Sequence, residues 1–194
     1  VKEQSAFPHV EPRNRDWQIE PTFEAAMLCL KQMNESPVVN FDVEVFWEKV
    51  DCISFSRDYR VAMSIPFFTD KGRYWSAEQE QTIREEMQVL FDNPNVLKVN
   101  QNMLFDIAIL TDLEGFKMVG PFGDPMVAHR LMYPDLPASL AYLCSTLTEE
   151  SYYKDEGRVG KDVVDWRQRW RYNAKDSCVS LECFQNMQDD LDND

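Results

Sequence analysis

Val38-Val39-Asn40-Phe41-Asp42-Val43-Glu44-Val45-Phe46 is the stretch on which the fold turns. Its run of β-branched and aromatic residues predicts a strand buried on both faces, as the centre of a sheet requires. Yet it contains two acids. Asp42 and Glu44 are two residues apart, so they face the same side of a strand. A carboxylate among apolar neighbours is costly unless it is paired or bound to a cation. Either this strand turns one polar face to solvent, or its acids serve a cation site.

Working outward, Asp51 to Ser56 alternates, with Cys52 and Ser54 opposed to Ile53 and Phe55, and predicts a second strand. The short turn Arg57-Asp58 leads to a third, Tyr59 to Pro66. Upstream, Pro21 opens an amphipathic helix to Met33, with Phe23, Met27, Leu28, Leu30 and Met33 as its apolar positions. Residues 1–20, with Pro8 and Pro12, read as an N-terminal arm. Downstream, Ser76 and Gln79 form a capping-box pattern ahead of a helix over Glu78 to Asp92, which Pro94 stops. A strand follows over Val96 to Asn100, then a helix from Asn102 to about Leu113, then a strand over Lys117 to Phe122. Asp124 caps a helix ending near Tyr133, and Ala138 to Leu147 is another. The polar stretch Glu149 to Lys161 reads as a mobile loop before a long helix, Val164 to Met187. The tail 188–194 is acidic and expected to fray, or to begin a linker to a further domain. Three consecutive strands followed by alternating helices and strands predict an α/β fold with a mixed sheet flanked by helices, and one unit spanning 21–187.

Composition narrows the function. The 194 residues are 44% hydrophobic, enough for a single core. Apolar runs reach only about six residues, as at Ala25 to Leu30, too short for a transmembrane helix. Val1 begins no basic or apolar leader, and the missing Met suggests a piece of a longer chain. The five cysteines (29, 52, 144, 178 and 183) are odd in number and include no C-x-x-C pair. Reduced thiols in a cytoplasmic compartment fit better than zinc or disulfides. Two histidines, His9 and His129, leave little for histidine chemistry, and His129 reads as a helix-surface or supporting residue. Neither G-x-G-x-x-G, G-x-x-x-x-G-K nor G-x-S-x-G occurs. The net charge of −14 disfavours a nucleic-acid binder, since phosphate contacts need Lys and Arg. The objection lapses if some carboxylates hold divalent metals, which invert the local field.

Two further segments carry acids at telling spacings. Asn102 and Asp106 are i and i+4 at the start of a helix and share a face. That pattern equally suits an N-capping Asn with a first-turn acid. Tyr172 and Asp176 are again i and i+4, within the last helix, where an exposed charged face is the plain alternative.

Together, D-x-E on the first strand (Asp42, Glu44), N-x-x-x-[FY]-D (Asn102, Phe105, Asp106) and Y-x-x-x-D (Tyr172, Asp176) resemble the DEDD exonuclease superfamily in its tyrosine-bearing branch. The likeness is greatest to the 3′–5′ proofreading domains of phage-type family-A DNA polymerases. It runs from about Pro21 to Met187 and includes Gly123-Asp124-Pro125-Met126-Val127-Ala128-His129 and Leu136-Pro137-Ala138-Ser139-Leu140. Val45 departs from the threonine that many relatives carry after the glutamate, so it offers no hydroxyl to a terminal nucleotide.

The resemblance implies a ribonuclease H-like fold. Asp42, Glu44, Asp106 and Asp176 would hold two Mg²⁺ or Mn²⁺ ions about 3.5–4 Å apart, the hard cations that oxygen ligands select. One ion would activate a water, the other would stabilise the leaving 3′-oxygen, and Tyr172 would orient the attacking water. The product would be a nucleoside 5′-monophosphate released from a single-stranded 3′ end of DNA, with an attached polymerase domain as partner. A ribonuclease D-like RNA exonuclease, or a non-catalytic binding remnant of the fold, are the alternatives. Asn102 would reach a phosphate or sugar oxygen. Phe105 would stack on a base or fill core, with Ile109 one turn away favouring core. Tyr153 and Lys154 would close over substrate, and the basic run Lys154, Arg158, Lys161, Arg167, Arg169, Arg171 and Lys175 would either track a strand's backbone or simply solvate a helix.

Overall fold

The computed structural model describes residues 14–157 and 164–193. The chain runs through β1 (Asp16–Gln18), α1 (Phe23–Asn34), β2 (Val38–Phe46), β3 (Lys49–Asp58), β4 (Val61–Pro66), β5 (Phe68–Thr69) and β6 (Gly72–Arg73). It continues with α2 (Ala77–Asp92), β7 (Leu97–Val99), α3 (Met103–Glu114), β8 (Phe122–Gly123), α4 (Pro125–Met132) and α5 (Leu140–Leu147), then a 3-10 turn (Lys154–Gly157) and α6 (Trp166–Asn193). The mixed sheet has the order β1-β4-β3-β2-β7-β8, with β5 and β6 as a separate hairpin. The pairs β2–β3 and β3–β4 are antiparallel, whereas β1–β4, β2–β7 and β7–β8 are parallel. This is the expected α/β arrangement, with β2 inside the sheet.

The two faces of β2 and β3 are chemically different, and that difference makes the site. Phe41, Val43, Ile53 and Phe55 pack with Leu30 of α1 and Ile83 and Met87 of α2 in the main apolar core. The opposite face meets α6 through a buried polar seam. Asn40 Nδ2 donates to Ser180 Oγ at 2.9 Å, Ser54 Oγ donates to the Asn173 carbonyl at 2.9 Å, and Ser64 Oγ donates to Asn173 Oδ1 at 2.9 Å. Asp42 and Glu44 lie on this face. Cys52, Ser54 and Ser56, which an alternating pattern would leave to solvent, are fully buried because α6 covers them.

The helices begin where their caps dictate. Thr22 caps α1, Ser76 and Gln79 form both halves of a capping box on α2, and Ser139 caps α5. Burial at Ile83, Met87, Leu90 and Phe91 follows the i, i+4, i+7, i+8 stripe of an amphipathic helix.

Several expectations are corrected. Residues 16–18 of the expected arm are an edge strand, in register with Val61, Ala62 and Met63. Their neighbour Arg15 is buried between Glu150 (3.0 Å) and Glu182 (2.6 Å). Of the expected strand 117–122 only Phe122 pairs, joined by Gly123 beyond it, with β7. The stretch from Glu149 carries a 3-10 turn and buries Glu150 and Tyr153, because their polar ends find partners across the fold. The last helix continues to Asn193 instead of fraying. His129 is buried, its ring against Tyr133 and Tyr142, and is not a surface residue. All five cysteines are free and buried. The expectations at residues 1–13, including Pro8, His9 and Pro12, and at Arg158, Lys161 and Asp194 lie outside the described residues. Among the described residues no helix is long and apolar enough to cross a membrane.

Candidate active site

Three elements bring the acids together. β2 supplies Asp42 and Glu44, α3 supplies Asp106, and α6 supplies Tyr172 and Asp176. One carboxylate oxygen each from Asp42, Glu44 and Asp176 lies within 4.8 Å of the others, an all-oxygen set suited to a hard divalent cation. Asp106 stands beside this trio, with its Oδ2 accepting from Asn100 Nδ2.

Each acid has its own polar partner. Asp42 Oδ2 accepts from Asn173 Nδ2 at 2.7 Å, and the same amide reaches the Asp42 carbonyl at 3.0 Å. Glu44 Oε2 is 3.1 Å from Arg169 Nη2. Asp176 Oδ1 accepts from the Tyr153 hydroxyl at 2.6 Å, and its Oδ2 from Lys154 Nζ at 2.6 Å. Lys154 Nζ also donates to the Tyr172 hydroxyl at 3.0 Å.

The electrostatics are those of a site built for added positive charge. Burial, then the charges of Asp176, Asp106 and Glu44, hold the Asp42 carboxyl well above the usual carboxylate range. Burial pushes Glu44 up to about 7 against the opposing pull of Arg169. Burial likewise pushes Asp106 up to about 7, with the Asn100 hydrogen bond opposing and Asp124 and Asp176 reinforcing. Burial, followed by Asp176, Glu44 and Asp42, raises the Tyr172 hydroxyl above the ordinary tyrosine range, so it stays protonated and can donate. Crowded carboxylates that repel one another are relieved by a divalent cation, so the residues present fit such an ion.

The other expected contacts fare differently. Phe105 is 58% exposed and does not fill core. The apolar side of α3 is taken by Met103 and Leu110, which leaves Phe105 pointing outward. Asn102 sits at the helix start in a left-handed conformation (φ 61°, ψ 44°), and its side chain makes no capping bond. Asp124 does that work, accepting from the backbone N–H groups of Asn102 at 3.1 Å and Met103 at 3.0 Å while also capping α4 through Met126 at 2.8 Å. Tyr153 is buried, supporting Asp176 from behind. The basic run is largely paired: Lys154 with Asp176, Arg167 with Glu20, Arg169 with Asp51 and Lys175 with Glu150.

Sequence reasoning missed Asn100, Asn173 and Gly157, and it read Arg169 only as part of a basic run, not as the partner of Glu44 and Asp51. Arg169, Asn173 and Asp176 stand at i, i+4 and i+7, a legible helical stripe, but nothing local says that the stripe meets β2. Gly157 presses on Tyr172, where an added Cβ would lie 2.5 Å from the ring's Cζ.

A family model described as 3′–5′ exonuclease matches residues 18–192. No curated protein matches the chain by sequence. Among solved structures, the catalytic core of RRP6 from Trypanosoma brucei is similar at 16% identity and a TM-score of 0.66, over 92% of this chain and 48% of that one. The EXO domain of Aedes aegypti Nibbler is similar at 14% identity and a TM-score of 0.69, over 94% and 93%. Escherichia coli RNase D, an exoribonuclease involved in structured RNA processing, is similar at 13% identity and a TM-score of 0.68, over 92% and 46%. The chain thus spans about half the length of the RRP6 core and of RNase D. At these identities the likeness is one of fold.

Proposed function

The chain belongs to the 3′–5′ exonuclease family, and on that premise we propose that it removes nucleoside 5′-monophosphates from the 3′ end of DNA by metal-dependent hydrolysis, as the proofreading domain of a polymerase. The observation that carries this reading is the convergence of Asp42, Glu44 and Asp176 on one point between β2 and α6. Asp42, Glu44 and Asp176, with Asp106 beside them, are the residues that would hold two divalent cations, Mg²⁺ or Mn²⁺. When bound, such ions supply an activated water and stabilise the leaving oxygen. Tyr172, kept protonated by its surroundings, directs its hydroxyl at the attacking water. Lys154 fixes Tyr172 and Asp176 relative to each other. Asn102 and Phe105 would meet the terminal nucleotide, a reading supported by the exposure of Phe105 at the start of α3. The presence of all four acids and of Tyr172 speaks against a non-catalytic remnant.

A second reading, trimming of RNA 3′ ends, is supported by the fold likeness to the exoribonuclease RNase D. The matched family model bears the name of family-A DNA polymerase exonucleases, which favours DNA. Hydrolysis of 5′-labelled single-stranded DNA and RNA of one sequence, in Mg²⁺ and in Mn²⁺, separates the two. Stepwise shortening of the DNA from its 3′ end, lost in Asp42→Ala and Asp176→Ala, is the expected result. Faster shortening of the RNA selects the second reading, and wild-type rates in Asp42→Ala refute the site.

A further inference from the structure

β3 carries an irregularity beside the site. Its register with β2 steps from Glu44↔Cys52 to Val45↔Val50, leaving Asp51 as an extra, unpaired residue. An extra residue in one strand bends it and re-aims a side chain, and such bulges recur next to active sites. On one side of the step Val50 faces the apolar core, and on the other Ile53 does. Asp51 is therefore turned with Cys52 toward α6, where its carboxylate is fully buried. A buried carboxylate needs a matched cation. Arg169, on the first turns of α6, is that cation: its Nε donates to Asp51 Oδ2 at 2.7 Å and its Nη2 to Asp51 Oδ1 at 2.9 Å. Such a bidentate fork fixes the plane of the guanidinium as well as its place. The same Nη2 donates to the Val45 carbonyl at 2.9 Å, at the bulge itself. Its two protons are then in use, so the approach to Glu44 Oε2 at 3.1 Å is an ion pair and not a third hydrogen bond. The Phe46 ring closes the guanidinium in, its centroid 5.7 Å from Cζ.

We propose that the Asp51–Arg169 pair is a positioning device for Glu44: Arg169, clamped by the Asp51 bulge, holds one oxygen of Glu44 and so presents the other to the metal site shared with Asp42 and Asp176. The inference rests on the metal-site reading above. Arg169 touches no reacting atom, and it acts through the orientation of a ligand. Support groups of this kind are worth roughly 10–100-fold in metal affinity.

Two variants test it without changing the net charge of the Asp51–Arg169 pair. Arg169→Lys keeps the charge and loses the fork. The double variant Arg169→Gln/Asp51→Asn removes one charge of each sign and leaves an amide pair to satisfy the buried seam. The measurement is calorimetric titration of Mn²⁺ into the full chain without nucleic acid, with melting in EDTA as the check on folding. The expected result is a Mn²⁺ dissociation constant raised by roughly 10–100-fold in both, EDTA melting within a few degrees of wild type, and cleavage recovering toward wild type at saturating Mn²⁺. An unchanged Mn²⁺ constant in either folded variant, or a lost rate that saturating Mn²⁺ does not restore, overturns the assignment. A wild-type chain that takes up no Mn²⁺ overturns the metal-site reading itself, whereas equal uptake by wild type and variants removes only Arg169.

Discussion

Gly157 lies so close to Tyr172 that a Cβ built on it would stand 2.5 Å from Cζ and 2.7 Å from Cε2 of the ring. The glycine closes the 3-10 turn Lys154–Gly157, and the turn also delivers Lys154 to the Tyr172 hydroxyl. One short element thus packs the tyrosine from its side and bonds it at its tip. Gly157 has no left-handed φ, so alanine suits its backbone and only the ring must move. Gly157→Ala should therefore fold normally and cleave about 10²-fold more slowly, the scale of a misplacement of about 1 Å. Single-turnover cleavage with a parallel melting curve checks this. A wild-type rate would mean that the position of Tyr172 is immaterial.

Tyr172→Phe isolates the hydroxyl. It removes no carboxylate, and Lys154 keeps its stronger partner, Asp176, at 2.6 Å. The rate should fall by roughly 10–10³-fold, at or below the loss of one preorganised donor. Mn²⁺ affinity should stay near wild type, unlike in Asp176→Ala. Unchanged turnover under chemistry-limited conditions would remove Tyr172 from the mechanism.

The acids predict an unusual pH dependence. Burial and crowding raise Asp42, Glu44 and Asp106 above their unfolded values, the latter two to about 7. The folded chain then retains protons that the unfolded chain has already released. Because the slope of stability with pH follows protons bound by the unfolded minus the folded state, it is negative here. Without metal, this contribution destabilises the fold as pH rises from about 4, the unfolded carboxylate range, through about 7. Melting in EDTA should fall over that window, and the fall should be shallower in Glu44→Gln/Asp106→Asn. Millimolar Mn²⁺ should raise the melting temperature most at the alkaline end, where the carboxylates are free to bind it. Equal pH slopes in wild type and the double variant would refute the crowding.

How far the sequence foretold the molecule depends on how local each signal is. The strand Val38–Phe46, the Ser76–Gln79 capping box and the Asp124 cap are written in neighbouring residues and stand where expected. The spacing of Asp42 and Glu44 likewise placed both on one face, which Asp176 joins. β1 was hidden because three residues become a strand only by pairing with β4, over forty positions away. The stretch after Glu149 read as a loop because it is polar. Its polar groups are ordered by distant charges: Glu150 by Arg15 and Lys175, and Lys154 by Asp176. The same limit hid the supporting donors. Asn173 and Arg169 look like surface residues of a charged helix until α6 is laid across β2 and β3.

Asp124 tests whether α3 must be held from outside to place Asp106. Asn102 begins α3 in a left-handed conformation and its own side chain caps nothing, so the first backbone N–H groups would be orphaned. The Asp124 carboxylate takes those of Asn102 and Met103 with one helix and that of Met126 with another, pinning α3 to α4. Asp106 follows one turn later, and Asp124 adds to the charge that raises its pKa. Asp124→Ala should lose about 1 kcal/mol per helix, some 2 kcal/mol in all, and should also slow cleavage as Asp106 drifts. Asp124→Asn keeps one acceptor oxygen, so it should lie between wild type and alanine in both stability and rate. Denaturant unfolding and single-turnover cleavage on the same preparations give the two readings. If Asp124→Ala loses stability but cleaves at the wild-type rate, α3 does not need this anchor to bring Asp106 to the site.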